Sequence, residues 1–538
     1  MSSVHDDPAM TSLPSAPDPR TPAELPRSSH FMAALADVER NFPVLEWSVD
    51  GIPIWPLVRL RWVFSEWARL YGDRQSRLAS AGVLRRLGRI ASGPIATRRL
   101  QRRDEQERAR GDETAAHRKD VVLFSDGISF AALAGRWYER FCDPVGSAAR
   151  ELGLSSALWT PGHHPRTPRA TPSVLIQPAI DRANIAGALA ARLRPIRPAL
   201  PGLDELRAAL QARGFASGSM DRRRIASDTG RLRSLSRMFR QRLGEAQPRL
   251  AALVGYYGVE GMAFVLACRE SGVRVVDLQH GVQGDMHPAY AAWPHRDPGH
   301  ALLPDYFWVW SDWERRVIER WSRGTHHRAV AGGNPWMDAW GDGSRWPGVS
   351  EARAGARELK NRARGRPIVL VTLQYGMRSD EQLTPLAALL QAGVPKLVFW
   401  VRLHPLMLAR REEIKATLLR GVATSADVVI DEASDLPLQA LLQEASVHLT
   451  HSSTVVIEAA QFGLRSVVTS EYGAELFPPL YAAGSAITET GASDALVDAL
   501  IRLSAPSERR EFKASCVDTL KTLLQGTGEA APMALQSA

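Results

Sequence analysis

The sequence predicts an α/β protein of two Rossmann-like domains with a helical N-terminal extension. Short apolar runs alternate with helical stretches through about 120–327 and again through 328–520, the pattern of βαβ units on a parallel sheet. Several runs stop in polar residues followed by Gly or Pro, the way strands end where ligands gather in open α/β sheets. At 538 residues the chain also exceeds what one core organises.

Residues 1–30 are rich in Ser, Pro and Asp and read as a disordered leader. Residues 31–119 follow as a separate region. Trp47, Trp55, Trp62 and Trp67, with Leu57, Val58, Leu60 and Val63, suggest a short strand or turn and then an amphipathic helix packed on the first domain. An Arg-rich connector runs from there to Lys119. The first domain opens with the strand Asp120 to Phe124, which ends in Ser125-Asp126-Gly127. A helical stretch containing Trp137, Tyr138 and Phe141 is expected next, then a break at Asp143-Pro144, a helix to Leu152 and a strand from Ser156 to Trp159. Prolines interrupt Pro161 to Pro201, with one helix near Ile185 to Leu193. A second basic helix with Arg222 to Arg224, Arg231, Arg233, Arg237, Arg240 and Arg242 precedes a helix from Val259 to Ser271 and a strand into Gln279-His280-Gly281.

The second domain is expected to begin near Arg328 with a strand closing at Gly332. Apolar runs then fall at Pro367 to Leu373, Lys396 to Leu403, Val428 to Ile430, Val447 to Thr450 and Ser466 to Thr469, with helices between them. Residues 521–538 form a tail.

Two of these strand ends carry anion-binding chemistry. Thr450-His451-Ser452-Ser453-Thr454 leads a strand into a helix bearing Glu458, where free backbone N–H groups, hydroxyls and the helix dipole favour a phosphate and Glu458 could accept the hydroxyls of a ribose. The upstream strand ends at Arg402-Leu403-His404-Pro405; guanidinium and imidazole both donate to phosphate, and the proline stops the strand. Gln374, at the end of the strand before, belongs with this donor set. No Gly-x-Gly-x-x-Gly follows a strand and no Walker lysine motif occurs, so dinucleotide redox chemistry and P-loop phosphoryl transfer have no support.

Gln279-His280-Gly281, a loop from His287 to Tyr290, Gly333-Asn334-Pro335 with Asp338, Arg402-x-His404-Pro405 and His451-Ser452-Ser453-Thr454 with Glu458 together resemble bacterial surface-polysaccharide transferases of GT-B type. The likeness is to capsule polysaccharide biosynthesis proteins and, more distantly, to bacterial sialyl- and polysialyltransferases and CDP-glycerol glycerophosphotransferases. It spans roughly Asp120 to Phe477. The resemblance implies two domains facing a cleft, the second holding a nucleotide sugar and the first supplying acceptor site and base, with the final helices crossing back to the first domain. It implies a glycosyltransferase acting on a glycan or lipid-linked acceptor in capsule or lipopolysaccharide synthesis, with a CMP-linked ulosonic acid as a favoured donor. A CDP-polyol phosphotransferase, a nucleotide-sugar epimerase and a non-catalytic polysaccharide assembly protein remain open. His280, Glu260 and Asp126 are the candidates for the base.

Histidines 287, 295, 300, 326 and 327 show no metal-ligand spacing, and Cys142, Cys268 and Cys516 read as core thiols, so no metal and no cofactor beyond the nucleotide sugar is expected. The net charge of +9 lies largely in the two Arg-rich stretches, which suit peripheral contact with anionic lipid or a solvated face. Aromatic residues do not interleave with them, which argues against nucleic acid. Without a secretory signal or a long apolar run, a cytoplasmic protein is expected, at most peripheral to the inner face of the membrane.

Overall fold

The computed structural model describes residues 28–71, 118–162, 168–193, 198–341, 346–375, 377, 379–422, 427–490, 494–505 and 515–526. Most of the leader and of the Arg-rich connector lies outside the described residues.

Two open parallel sheets organise the chain. The first has seven strands, β1 (Val121–Phe124), β2 (Ser156–Thr160), β3 (Ser173–Leu175), β4 (Leu250–Val254), β5 (Arg274–Leu278), β6 (Tyr306–Val309) and β7 (Arg328–Ala331), in the order β7-β6-β5-β4-β1-β2-β3. The second has six, β8 (Ile368–Thr372), β9 (Val398–Arg402), β10 (Val428–Val429), β11 (Val447–Thr450), β12 (Ser466–Val468) and β13 (Ala486–Thr488), in the order β10-β9-β8-β11-β12-β13. Counted within each sheet the order of the first six strands is 3-2-1-4-5-6, the doubly wound Rossmann arrangement. Both sheets are covered on two faces. Val122 and Phe124 of β1 point into one core and Val121 and Leu123 into another, and β8 divides Ile368 and Leu370 from Val369 and Val371 in the same way. Continuous apolar strands are what burial on both faces requires. The chain is thus a GT-B-like α/β protein with a helical N-terminal stretch.

Several elements differ from the sequence expectation. Arg328–Ala331, expected to open the second domain, pairs in parallel with Tyr306–Val309 at the edge of the first sheet. The sixth strand of the second sheet is instead Ala486–Thr488, too short and too small in its side chains to announce itself. The helix Cys516–Gln525 crosses the expected boundary at 520 and buries Cys516, Leu520 and Leu523 against the first sheet, where Arg274 donates to the Leu523 and Leu524 carbonyls at 3.0 and 2.7 Å. The stretch around Trp137 and Tyr138 is not helical: Phe130–Leu133 and Arg136–Glu139 form an antiparallel hairpin. Its two-residue turn, Ala134-Gly135, has φ of 46° and 69°, the left-handed pair that matches strand twist.

In the N-terminal region, the hairpin Ser48–Val49/Ile52–Pro53 precedes the helix Trp55–Tyr71, and Trp47, Trp55 and Trp62 share a core with Phe31, Leu203 and Phe215. Arg59 locks this helix to the first domain. It is fully buried, lies 3.9 Å over the Trp293 ring, donates to the Ala291 carbonyl at 3.0 Å and pairs with Glu39 at 3.4 Å.

The second basic helix, Arg222–Ala246, is packed into the first domain along one side, with Arg223, Arg224 and Arg237 exposed. Arg222, Arg231, Arg233 and Arg240 pair with Asp204, Glu260, Asp50 and Glu270, while Arg242 is buried. It crosses the helix Gln177–Leu193 at Gly187 and Gly230, where a Cβ on Gly230 would lie 2.6 Å from the Gly187 carbonyl oxygen. Alanine in a helix gains up to about 1 kcal/mol over glycine, but overpacking costs about 1–3 kcal/mol. A backbone carbonyl cannot rotate aside, so the cost wins: Gly230→Ala should lower the denaturant midpoint, and an unchanged midpoint would show that the two helices can separate freely. Among the described residues no helix is long and apolar enough to cross a membrane.

Candidate functional site

In a doubly wound sheet the loops after the first and fourth strands diverge and leave a crevice at the strands' carboxyl ends. In the second domain these loops follow β8 and β11. They carry Gln374 and Ser452, and the Gln374 side-chain oxygen accepts from the Ser452 backbone N–H at 2.8 Å and from its hydroxyl at 3.2 Å. The Ser453 hydroxyl accepts from the Val455 N–H at 3.3 Å, and the Thr454 hydroxyl has no described hydrogen bond. The helix that follows, Val455–Gln461, is only seven residues long, so the dipole expected of it is small and side-chain donors carry more of any anion site.

Arg402 and His404 end the neighbouring strand β9. Nη1 of Arg402 donates to the Ala433 carbonyl at 2.9 Å and to that of Leu436, closing the helix Asp431–Asp435. Part of the guanidinium expected on phosphate is therefore structural, while Nε and Nη2 have no described partner. The ring of His404 stacks on Tyr375 at 6.0 Å and its Nδ1 accepts from the Leu406 N–H at 3.2 Å, which leaves the proton of the neutral ring on Nε2. Burial, then Arg140, then Arg402 push its pKa down to about 4, so at neutral pH His404 is an uncharged donor. Glu458 is buried, accepts from Gln439 at 2.7 Å, and is pushed up by burial against the opposing pull of Arg140 and Arg402.

The first-domain crevice lies between the loops after β1 and β4. Asp126, in the first, is a turn residue: its carboxylate accepts from the Ile128 and Ser129 N–H groups, both at 2.9 Å, and from the Ser129 hydroxyl at 2.5 Å. Glu260 is engaged with the helix layer, accepting from Asn184 at 3.3 Å and pairing with Arg231 at 3.4 Å. Both oxygens of Asp126 are thus taken up by its turn, whereas the contacts of Glu260 fall on Oε1 alone. His280 is placed differently. Its Nε2 is 2.7 Å from the Tyr257 hydroxyl, the two rings stack at 5.7 Å, and Nδ1 is buried without a hydrogen bond of normal geometry. Burial lowers the pKa of His280, partly offset by the Asp126 charge. Burial raises that of Tyr257, so the phenol keeps its proton, which it can donate to Nε2 in the Nδ1–H tautomer of the ring.

The rest of the Gln-His-Gly turn is bracing. Gln279 donates to the Gly281 carbonyl at 2.8 Å and accepts from the Trp310 N–H at 2.6 Å. Asp277, buried beneath it, accepts from Tyr290 at 2.8 Å and from the Tyr256 N–H at 3.0 Å, and burial raises its pKa to about 7. The two crevices meet here. A Cβ at Gly281 would lie 3.7 Å from Cγ2 of Thr454, and Val282 packs with Val456 and Ile457 of the second domain. The structure thus brings the Gln-His-Gly turn against the hydroxyl triplet, while Glu260 lies in the first turn of the helix that follows Tyr257.

Tyr257, Asp277 and Arg140 are site residues that the sequence reading did not single out. The signal for Asp277 was an acid inside an otherwise apolar buried strand. Tyr257 lay in Gly255-Tyr256-Tyr257-Gly258 directly after a strand. Arg140 had no local signal.

A pair of buried acids stands beside Arg140. One oxygen of Glu139 accepts from the Phe141 N–H at 3.0 Å, and Asp143 accepts from the Glu139 N–H at 2.8 Å, while Oε1 of Glu139 and Oδ1 of Asp143 are buried without partners. Burial, then the Asp126 charge, raises Glu139 from 4.5 to about 8, and burial raises Asp143 to about 6. A raised pKa means that the folded state holds the proton more tightly than the unfolded one. The stabilisation from Glu139 is therefore complete below about pH 4.5 and is lost as pH rises towards 8. Glu139→Gln, which keeps an acceptor for the backbone and cannot ionise, should melt close to wild type at pH 5 and a few degrees higher at pH 8. Parallel melting curves that fail to diverge between these pH values would show that Glu139 titrates normally.

Among the described residues no group of three or more His, Cys, Asp or Glu is placed to hold a metal ion. His300, His326 and His327 do cluster, but four of their six ring nitrogens bond to the Pro294, Pro298 and Pro304 carbonyls and to the His300 N–H.

No known protein family and no curated protein matches the chain by sequence. Among solved structures, similarity extends over 76% of this chain and 99% of the UDP-GlcNAc 2-epimerase from Methanocaldococcus jannaschii, at 11% identity and a TM-score of 0.47. The UDP-GlcNAc 2-epimerase from Neisseria meningitidis bound to UDP-GlcNAc matches over 75% of this chain and 99% of its own, at 14% identity and a TM-score of 0.43. The wall teichoic acid polymerase TagF matches over 78% and 88%, at 10% identity and a TM-score of 0.38.

Proposed function

We propose that the protein is a nucleotide-sugar-dependent glycosyltransferase whose second domain binds the donor phosphate and whose first domain activates the acceptor hydroxyl. The observation that carries this reading is the approach of Gly281 to Thr454, one beside the Tyr257–His280 pair and the other in the loop of hydroxyl donors. Departure of a sugar from a phosphate needs donors for the charge left behind, and Thr454, His404 Nε2 and the unspent nitrogens of Arg402 supply them. Attack by an acceptor needs its hydroxyl proton removed. The proton passes from the acceptor to the Tyr257 oxygen as the Tyr257 proton passes to His280 Nε2, and the Asp126 charge steadies the imidazolium. The acceptor oxygen then bonds to the anomeric carbon as the bond to phosphate breaks, with the electron pair leaving on phosphate.

An acceptor is favoured over rearrangement of the sugar alone by Ile128, Tyr375, Leu406 and Leu408, which are exposed. Exposed apolar side chains in the loops that follow the site strands suit a second, partly apolar substrate such as a glycan or its lipid carrier. Nothing in the geometry reads the base, so a CMP-linked acid sugar and UDP-, GDP- and CDP-linked donors all enter the test. Purified protein is incubated with each donor, with and without glycan acceptors, while nucleotide release and sugar products are followed. Release that requires acceptor supports transfer. An altered nucleotide sugar without acceptor identifies an epimerase, and binding without turnover of any donor identifies an assembly role.

A further inference from the structure

The hairpin Phe130–Glu139 leaves the first domain and docks in the core of the second. Leu133 and Tyr138 are buried with Trp336, Trp340 and Val349, and Tyr138 meets the Trp346 and Trp336 rings at 5.2 and 6.3 Å. The approach is close at the turn as well, since a Cβ on Gly348 would lie 2.7 Å from the Ala134 nitrogen. Arg140 stands where the chain leaves this docked hairpin to begin the first-domain helix Cys142–Glu151. Its backbone is fixed, with its own N–H on the Ser129 carbonyl at 2.9 Å and the Glu139 side chain on the next N–H at 3.0 Å. Its guanidinium lies 5.3 Å from the centre of the Phe141 ring, which in turn meets the His280 ring at 6.3 Å. Among the described residues no carboxylate pairs with it.

We infer that Arg140 is a phosphate-binding residue contributed by the first domain, so that the nucleotide phosphate is held from both sides of the cleft, by Arg140 on one side and by His404, Arg402 and Thr454 on the other. This rests on the reading of the second-domain crevice as a nucleotide site and adds to it a ligand from the opposite domain. The electrostatics agree: Arg140 acts on Arg402, His404 and Glu458 of the second domain and on His280 of the first, lowering the affinity of both cationic-capable second-domain donors for their protons. Arg140 and Arg402 bring two positive charges that repel each other beside the uncharged His404 donor, with Glu458 and Asp435 in opposition. An anion relieves that repulsion, and a guanidinium matches phosphate geometry.

Calorimetric titration of wild type, Arg140→Ala and Arg140→Lys with CMP, CDP, UDP and GDP, and with cytidine, uridine and guanosine, separates the alternatives. Arg140→Ala should bind whichever nucleotide wild type binds at least tenfold more weakly and the corresponding nucleoside equally well, and Arg140→Lys should recover part of the loss. Equal nucleotide affinity in wild type and Arg140→Ala would overturn this inference and leave the second-domain site standing. An equal loss for nucleotide and nucleoside would overturn it too, since that marks a structural role. Failure of wild type to bind any of the nucleotides would instead sink the nucleotide reading itself. Arg140→Lys, which keeps the charge and most of the stem, supplies the comparison if the alanine variant melts early.

Discussion

His280→Ala should bind nucleotide with near wild-type affinity and lose transfer by on the order of a hundredfold or more, the usual contribution of a positioned acid or base. The split between binding and turnover follows from placement, because His280 is bonded to Tyr257 in the first domain and the phosphate donors are in the second. Tyr257→Phe is the companion variant. It keeps the stacked ring but removes the proton path, so turnover should fall by a comparable factor with the fold unchanged. Glu260→Gln and Asp126→Asn test the other two candidates. Glu260 is engaged with Arg231, so its loss should appear in melting temperature before it appears in turnover, whereas Asp126→Asn should lower both, since it loosens the turn at Ser129 and removes the charge that steadies the His280 imidazolium. Full transfer by His280→Ala with normal melting would remove the histidine from the chemistry and leave the Gln-His-Gly turn as scaffold.

His404→Ala combined with Thr454→Val should weaken nucleotide binding by at least about tenfold, since a hydrogen bond to a charged group contributes roughly 1.5–3 kcal/mol and each 1.4 kcal/mol is a factor of ten. Neither change removes an interaction on which the fold depends, beyond the single cap of His404 on the Leu406 N–H. Arg402→Ala differs. It releases the Ala433 and Leu436 carbonyls at the end of the helix Asp431–Asp435 as well as any phosphate contact, so it should lower both affinity and melting temperature. Calorimetry alongside thermal melts separates these outcomes. Unchanged affinity in the His404/Thr454 double variant would place the phosphate elsewhere.

The acid–base balance of the buried groups sets limits on the pH range for such assays. Burial lowers His404 and His300 to about 4 and His287 and His448 to about 3, so their stabilising contribution is present above about pH 6.5 and is lost as pH falls through those values. Glu139 and Asp277 act in the opposite direction, losing their contribution as pH rises towards about 8 and 7. The two windows overlap between about pH 4.5 and 6.5, so binding and turnover comparisons belong at one fixed pH near 7, where the histidine contributions are complete.

Local patterns in the chain carried the strand ends. The apolar runs at Val121–Phe124, Val398–Arg402 and Val447–Thr450 each stop at a polar group, and strand periodicity with a breaking residue is a property of a few neighbours. For the same reason Arg402, His404 and the hydroxyl triplet could be placed at strand ends without coordinates. Which strands share a sheet is settled by pairings between distant segments, so Arg328–Ala331 joined the first sheet although its sequence resembles any short strand. The aromatic run Trp137-Tyr138 suggests a helix because Ala134-Gly135 is a weak turn signal; packing against Trp336 and Trp346, some two hundred residues away, gives the Tyr138 ring its place. Side-chain partners are decided at the same range. Asp126 and Glu260 were plausible bases by residue type, but their nearest donors come from a tight turn and from two other helices. His280 gained its partner Tyr257 from another strand end, and Arg140 reached the second domain on a hairpin, because a side chain's charge and protonation follow from what is folded against it rather than from what adjoins it in the chain.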